Sequence, residues 1–240
     1  MLMKKIILLT TTVLLAYFSE AKAQNLQGFF DEADAVFSTY VAHGKIDYKA
    51  ISNDPSKLDA ALATAKGMSV SKEDAAGYQA FWINAYNLAV IKGIVDNYPI
   101  KSPLDKKGFF DKIKYEVGGA KITLNDIENK KLRAVFGDAR VHFVLVCGAN
   151  GCPPIIGKAY TAENVEKLLE QQTIKALNDS SFIKVSGKKV AFSEIFKWYK
   201  EDFIKNGQTE IDFLNTYRKE KVPQDAKVTY YSYDWRLNSK

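Results

Sequence analysis

The stretch Tyr78-Gln-Ala-Phe-Trp-Ile-Asn-Ala-Tyr-Asn-Leu-Ala-Val-Ile91 is apolar on nearly every side when it is wound into a helix. A helix of this kind lies inside a protein, whereas a surface helix keeps one polar face. Ser71 and Asp74 resemble a capping box in front of it, and Pro99 stops it after Asn97. The sequence therefore predicts a long, central and buried helix.

Two amides interrupt this apolar stretch. Asn84 and Asn87 lie three residues apart, so they share one face of the helix. A buried amide without a hydrogen-bond partner costs about 1–3 kcal/mol. Either the two side chains bond to a neighbouring loop and fix its path, or they line a polar cleft and contact a substrate. The pattern leaves both alternatives open.

The rest of the chain mixes helical and extended patterns. Periodic apolar positions and capping residues predict helices at about 26–40, 55–66, 71–97, 123–135, 161–177, 193–203 and 211–218. Extended segments are predicted at about 115–123, 141–146, 182–192 and 228–235. Because the two types do not alternate strictly, we predict an α+β fold, a helix-rich single domain with a small mixed or antiparallel sheet.

Residues 1–23 are predicted to be a secretory signal peptide. Lys4 and Lys5 precede an apolar core from Ile6 to Phe18, and Ala21-Lys22-Ala23 has the small-residue pattern of a cleavage site. The core is shorter than the roughly 20 residues that span a bilayer. An N-terminal anchor helix is the alternative. We expect a mature single domain, residues 24–240, that is periplasmic or secreted and not stably inserted in a membrane.

Charge and composition narrow the expected partners. The whole chain has a net charge of +6, and its lysines are spread along it. Nucleic-acid binding needs a concentrated basic patch or a motif, and the sequence has neither. It also lacks a glycine-rich phosphate loop, so no cofactor is expected. The expected partner is a peptide or small-molecule substrate, which the sequence does not identify.

Both cysteines and one of the two histidines lie in the stretch Arg140-Val-His-Phe-Val-Leu-Val-Cys-Gly-Ala-Asn-Gly-Cys-Pro-Pro154. The segment from Val141 to Val146 is apolar and rich in β-branched residues, which predicts a buried strand that ends at Cys147. Along a regular strand, His142 and Cys147 are about 16 Å apart, beyond hydrogen-bonding reach. The spacing therefore argues against a direct pair of these two residues.

The two cysteines are compatible with three arrangements. The Gly-Ala-Asn-Gly between Cys147 and Cys152 can turn tightly enough to bring their Cα atoms within about 6–7 Å, as a disulfide needs. In the second arrangement one of them is a catalytic thiol, and Pro153-Pro154 predicts a short helix whose dipole favours the thiolate of Cys152. In the third, both thiols are inert. A metal site is not expected, because the zinc-ligand spacing and a fourth ligand are missing.

Four motifs occur in an order that is typical of one family: Phe81-Trp-Ile-Asn-Ala-Tyr-Asn87, His142-Phe-Val-Leu-Val-Cys147, Gly151-Cys-Pro153 and Tyr233-Asp-Trp235. With them the chain resembles the bacterial family named domain of unknown function 547, over roughly residues 35–238. The resemblance implies one DUF547-like domain for residues 24–240 and a site near these motifs, but no reaction. The resemblance implies the tetrapeptide Asp-Ile-Glu-His ahead of the cysteine motif. This chain has Asp126-Ile-Glu-Asn129 there, with Asn129 in place of the histidine.

The leading functional hypothesis is an exported, thiol-dependent hydrolase or transferase acting on peptide or amide bonds. It rests on analogy with papain-like and transglutaminase-like enzymes, with Glu128 as the carboxylate that orients the site or acts as its base. The predicted catalytic residues are Cys147, Cys152, Glu128 and His142. The predicted substrate-binding residues are Asn84, Asn87, Tyr199 and Trp235. The alternative is a non-catalytic module that binds a peptide or another ligand and has a structural Cys147–Cys152 disulfide.

Overall fold

The computed structural model describes residues 26–240 of the chain. The predicted signal peptide, residues 1–23, lies outside this described part. Within residues 26–240, no helix is long and apolar enough to cross a membrane.

Helices make up most of the regular structure. They are α1 (residues 26–40), α2 (Tyr48–Asn53), α3 (Ser56–Gly67), α4 (Ala75–Val95), α5 (Leu124–Asp126, continuing through Ile127–Arg133 and Ala134–Phe136), α6 (Val165–Asn178), α7 (Glu194–Trp198), α8 (Lys200–Phe203) and α9 (Glu210–Tyr217). Short 3-10 helices cover Pro103–Asp105, Ala139–Phe143 and Lys205–Gly207. The strands are β1 (Val41–Ala42), β2 (Lys45–Ile46), β3 (Lys114–Val117), β4 (Ala120–Thr123), β5 (Lys184–Ser186), β6 (Lys189–Ser193) and β7 (Lys227–Tyr231).

Helix α4 is the centre of the fold, which confirms the prediction. It begins after Asp74, whose carboxylate accepts a hydrogen bond of 2.9 Å from the backbone N–H of Gly77. Almost all of its residues are buried, and Trp82 is only 2% exposed. Helices α2, α3, α5 and α6 pack against it. Asp74 alone forms the cap, because the hydroxyl of Ser71 accepts a hydrogen bond from Glu73 instead.

Three small sheets accompany the helices. Strand β1 pairs with β2, and β3 pairs with β4, both antiparallel. The third sheet is mixed, since its middle strand β6 runs antiparallel to β5 and parallel to β7. The predicted α+β fold with a small mixed sheet is confirmed.

Most of the predicted helix starts are correct. The side chains of Thr123 and Ser193 cap α5 and α7 by accepting backbone hydrogen bonds, as the sequence predicts. Helix α6, however, begins at Val165, four residues after the predicted cap Thr161. The side chain of Asn164 accepts a hydrogen bond of 2.8 Å from the N–H of Thr161 and so holds a separate turn in front of the helix.

The predicted strand from Val141 to Val146 is wrong. Residues Ala139–Phe143 form a 3-10 helix, which Asp138 caps by accepting a hydrogen bond of 2.9 Å from the N–H of Arg140. In the irregular backbone that follows, the carbonyl of Val144 accepts a hydrogen bond from the side chain of Asn87, and the N–H of Val146 donates one to it. A strand would form such bonds with a neighbouring strand. The apolar run correctly indicates burial, but burial alone does not distinguish a strand from a compact turn.

Candidate functional site

A cavity of about 300 Å³ lies where α4, α5, the cysteine segment and the end of the chain meet. Five of the predicted site residues form part of its wall: Glu128, His142, Cys147, Tyr199 and Trp235. This volume is at the small end of the range for small-molecule sites, so the cavity suits a group the size of a side chain.

Glu128 enters the cavity from the middle of α5. Residues Ile127–Arg133 of this helix are π-helical, so its backbone hydrogen bonds skip one residue more than in an α-helix. Such segments are rare and occur often at functional sites, because the extra residue turns a side chain toward a new direction. Glu128 is only 6% exposed, yet it is one of the residues that line the cavity.

His142 is held between two carboxylates. Its Nε2 lies 2.8 Å from Oδ2 of Asp202, and its Nδ1 lies 4.0 Å from Oε1 of Glu128. The imidazole stacks on the ring of Tyr199, with 4.1 Å between the ring centroids. Because residues 141–146 are not a strand, the separation of about 16 Å from Cys147 expected along a strand does not apply. Both residues line the same cavity.

Asp202, on α8, is shared between His142 and an arginine. The Nε of Arg133 donates a hydrogen bond of 2.6 Å to the same oxygen that contacts His142. Burial by itself raises the pKa of Asp202, but the hydrogen bonds from His142 and Arg133 outweigh it and hold the pKa well below its usual range. Asp202 is therefore a carboxylate that fixes the histidine ring.

The two cysteines meet at the edge of the cavity. The sulfur atoms of Cys147 and Cys152 lie at disulfide distance, and their Cα atoms are 6.5 Å apart, within the range predicted from the sequence. Cys147 faces the cavity, whereas Cys152 is 9% exposed. The short helix predicted at Pro153-Pro154 is absent. Cys152 belongs to a turn, in which its sulfur accepts a hydrogen bond of 3.0 Å from the N–H of Cys147.

Tyr233 touches both sulfur atoms. Its hydroxyl oxygen lies 2.8 Å from Sγ of Cys147 and 2.9 Å from Sγ of Cys152. Burial, followed by the charges that neighbouring tyrosines would carry, raises the pKa of Tyr233 well above its ordinary value. The hydroxyl therefore stays protonated and can donate a hydrogen bond to sulfur at neutral pH.

The end of the chain holds the cysteine loop in place. The N–H of Asn150 donates to the carbonyl of Arg236 (2.8 Å), and the N–H of Gly151 donates to the carbonyl of Asp234 (2.9 Å). In return the N–H of Asn238 donates to the carbonyl of Gly148 (3.1 Å). Three backbone hydrogen bonds thus fasten the residues between the two cysteines to the segment that carries Tyr233.

Asn84 and Asn87 do not line this cavity, so the prediction that they form its wall is wrong. The amide of Asn84 exchanges two hydrogen bonds with the backbone of Tyr160, at 2.7 and 3.0 Å. The amide of Asn87 accepts from the N–H of Val146 (2.9 Å) and donates to the carbonyl of Val144 (3.0 Å). Both side chains fix the path of a neighbouring loop, because a buried amide must pair with nearby backbone groups.

Aromatic rings form much of the remaining wall. Trp198, Tyr233 and Trp235 contact one another, with ring centroids 4.8–5.8 Å apart, and Phe110 lies against Trp235. Trp198 is 45% exposed, which is unusual for a tryptophan. Burial, together with the charge of Glu128, raises the pKa of Tyr199 well above its ordinary value. The wall is therefore aromatic and uncharged apart from the group around His142.

The part of the chain that carries all four predicted catalytic residues matches a known family. Residues 70–177 match the family described as Protein of unknown function, DUF547. The DUF547 match includes Glu128, His142 and both cysteines, but it ends before Asp202 and Tyr233. No curated protein and no solved structure matches the chain. The analogy with papain-like and transglutaminase-like enzymes therefore stays a prediction.

The predicted site residues did not include Asp202 and Tyr233, which contact other members of the site. Asp202 and Tyr233 contact His142 and the sulfur atoms, although they lie 60 and 81–86 residues away in the chain. Asp202 lies three residues after Tyr199, and Tyr233 opens the Tyr233-Asp-Trp235 motif. That local signal marks them as candidates, but no spacing in one sequence shows which distant side chain they meet.

Proposed function

We propose that the cavity is the catalytic centre of a thiol-dependent hydrolase or transferase that acts on peptide or amide bonds. One observation carries this proposal: a histidine oriented by a half-buried carboxylate shares a small cavity with a cysteine. A nucleophile, a base and a group that orients the base are the parts that such catalysis needs.

Asp202 determines which nitrogen of His142 is free. An ionised carboxylate can only accept a hydrogen bond, so the Nε2 of His142 must carry the proton that Asp202 binds. In the neutral ring this leaves Nδ1 as the unprotonated nitrogen, on the side of Glu128. His142 is then the base, and Glu128 stabilises the imidazolium that forms when the base accepts a proton.

The proposed reaction proceeds through a thioester. His142 takes the proton of the Cys147 thiol, and the thiolate attacks the carbonyl carbon of the substrate amide. The C–S bond forms, the C–N bond breaks, and the amine leaves with the proton from His142. Water or a second amine then loses a proton to His142 and attacks the thioester, which breaks the C–S bond. The proton returns to sulfur, so Cys147 is regenerated.

This reaction needs a free Cys147, so the pairing with Cys152 must first be reduced. A dithiol supplies two electrons and two protons, the S–S bond breaks, and both cysteines become thiols. The hydroxyl of Tyr233, 2.8 Å from Sγ of Cys147, can then donate a hydrogen bond to the thiolate. Tyr233 would in this way favour the reactive form of the sulfur.

Alkylation of the reduced protein by iodoacetamide tests the proposal, because only the thiolate reacts. In a Cys152→Ala background, only Cys147 is labelled, and we expect fast labelling at about pH 6 that slows at least about tenfold in His142→Gln. Cys147→Ala with Cys152 retained is the matched control and should be labelled slowly. Equal rates with and without His142 at pH 6 would contradict a thiolate that depends on this histidine.

The alternative function is a binding module with a structural disulfide, and the closeness of the two sulfur atoms favours it. A peptide–amide library incubated with reduced protein separates the two functions. Products that form with Cys152→Ala but not with Cys147→Ala support the enzyme. Ligand retention by the oxidised protein, with no product after reduction, supports the binding module.

We also propose that the mature protein begins at Gln24 and is exported, since Lys4, Lys5 and Ala21-Lys22-Ala23 have the pattern of a signal peptide. An exported chain meets an oxidising environment, in which a Cys147–Cys152 disulfide would persist. N-terminal sequencing of exported material tests this, and an intact Met1 would contradict it.

A further inference from the structure

We propose that the aromatic cavity recognises an alkylammonium group, so that the substrate carries a lysine-like side chain beside the scissile amide. The proposal that such a substrate is turned over rests on the proposed function. The proposal that the cavity binds an alkylammonium group rests only on the residues of its wall and on their charges. Cleavage of an amide bond does not by itself identify the substrate, and this inference names its chemical class.

The aromatic wall is the first observation. Six aromatic residues line a cavity of about 300 Å³: Tyr86, Phe110, Trp198, Tyr199, Tyr233 and Trp235. The face of an aromatic ring carries partial negative charge and attracts a cation within about 6 Å, most strongly when the ring is tryptophan. Several rings around a small space are the arrangement by which proteins bind substituted ammonium groups.

The charges of the cavity are the second observation. Glu128 belongs to the wall, and among residues 26–240 no lysine or arginine lines the cavity. The nearby Arg133 is already paired with Asp202 and lies over the ring of Tyr199, 4.9 Å from its centroid. Apart from the imidazole of His142, this group has two carboxylates and one arginine, so its fixed charges have a negative excess. A cation in the cavity would balance it, whereas an anion would meet Glu128 and the negative ring faces.

The exposure of Trp198 is the third observation. Trp198 is 45% exposed although it stacks on Trp235 with an angle of 26° between the ring planes. Large apolar surfaces left open to water commonly mark binding sites. The methylene groups of a lysine side chain can pack on these two rings while the ammonium group reaches toward Glu128. The aliphatic stem and the charged end thus each meet a surface of suitable chemistry.

The binding experiment compares two ligands that differ in charge and are close in shape. Nα-acetyl-lysine methylamide carries the ammonium group, and Nα-acetyl-norleucine methylamide replaces it with a methyl group. Both are titrated against the oxidised full mature chain while tryptophan fluorescence is recorded. We expect the lysine ligand to bind at least about tenfold more tightly than the norleucine ligand, and to lose affinity as salt rises. Equal affinity of the two ligands overturns the proposal.

Two variants locate the binding. Glu128→Gln and Trp198→Ala should each weaken binding of the lysine ligand at least about fivefold, without a matching loss for norleucine in the glutamine variant. Glu201→Gln, an exposed carboxylate outside the cavity wall, is the matched control and should bind as wild type does. The ligand comparison on wild-type protein needs no variant, so it decides the question even if a substitution disturbs folding.

The outcome is separable from that of the proposed function. Oxidised protein has no free Cys147, so ligand binding there does not depend on thiol chemistry. Lysine-selective binding without any thiol-dependent product would leave a cation-binding module and reject the enzyme. Thiol-dependent cleavage of amides with no preference for lysine over norleucine would retain the enzyme and reject the recognition of an alkylammonium group.

Discussion

His142 and Asp202 are joined by a 2.8 Å contact between Nε2 and Oδ2, although 60 residues separate them in the chain. The 3-10 helix at Ala139–Phe143 carries the histidine, and α8 carries the aspartate. The same aspartate oxygen accepts a hydrogen bond from Arg133. Asp202 thus orients the histidine at the cavity and connects the 3-10 helix, α8 and α5, which carries Arg133.

Asp202→Asn should change how stability depends on pH. The pKa of Asp202 in the folded protein lies below its ordinary value of 3.8, because hydrogen bonds from His142 and Arg133 outweigh burial. The ionised group therefore stabilises the fold above about pH 3.8, and this contribution is lost as pH falls toward the folded pKa. Urea midpoints from pH 7 to pH 2 should fall less steeply for the variant. Asp225→Asn, at an exposed pair with Lys188, is the control and should match wild type.

Tyr233→Phe should slow the alkylation of Cys147 in reduced protein. The substitution keeps the ring but removes the hydroxyl that lies 2.8 Å from Sγ, so the thiolate loses a hydrogen bond worth about 1.5–3 kcal/mol. We expect a rate about tenfold lower near pH 7. Tyr231→Phe is the matched control, because that hydroxyl donates to the carbonyl of Phe182. A loss of the same size in both variants would show that the effect does not come from the sulfur contact.

Trp82→Ala should destabilise the fold by about 3–5 kcal/mol, as large aromatic truncations in a core do. The indole is 2% exposed on the central helix and packs edge-on against Phe81. Trp198→Ala is the comparison, since this tryptophan is 45% exposed and should cost much less. Urea unfolding measures both, and equal midpoint shifts would contradict the central position of Trp82.

Asn87→Ala should destabilise by about 2–5 kcal/mol, although the side chain is small. Its amide satisfies the N–H of Val146 and the carbonyl of Val144, and each would be left unpaired in a buried place. Urea unfolding gives the loss, and hydrogen exchange at the N–H of Val146 should quicken. An unchanged exchange rate at that N–H would mean that the backbone finds another partner.

Alkaline pH should unfold the protein cooperatively. Burial raises the pKa of Tyr86, Tyr160 and Tyr233 well above the ordinary value of 10.0. The unfolded chain therefore releases protons above about pH 10 that the folded chain retains, so stability falls as pH rises through that value. Absorbance at about 295 nm, which reports tyrosinate, should rise for these residues together with the loss of ellipticity. Ionisation of all tyrosines before unfolding would contradict their burial.

Local patterns were enough to predict the elements that depend on neighbouring residues. The capping side chains of Thr123 and Ser193 bond to backbone groups two or three residues away, so the chain around each cap contains the information needed. The segment from Val141 to Val146 shows where this fails. Its apolar character predicts burial correctly, but its conformation depends on Asn87, whose amide supplies the hydrogen bonds of a missing strand partner.

The sequence by itself determined three features: the burial of α4, the start of most helices and the possible approach of the two cysteines. Each depends on a local cause, namely periodicity, capping or a short turn that contains glycine. Only the tertiary structure decided that His142 meets Asp202, that Tyr233 reaches both sulfur atoms, and that Asn84 and Asn87 hold loops and do not line the cavity. Contacts between distant residues depend on how all the elements pack together, and a single sequence does not record that packing.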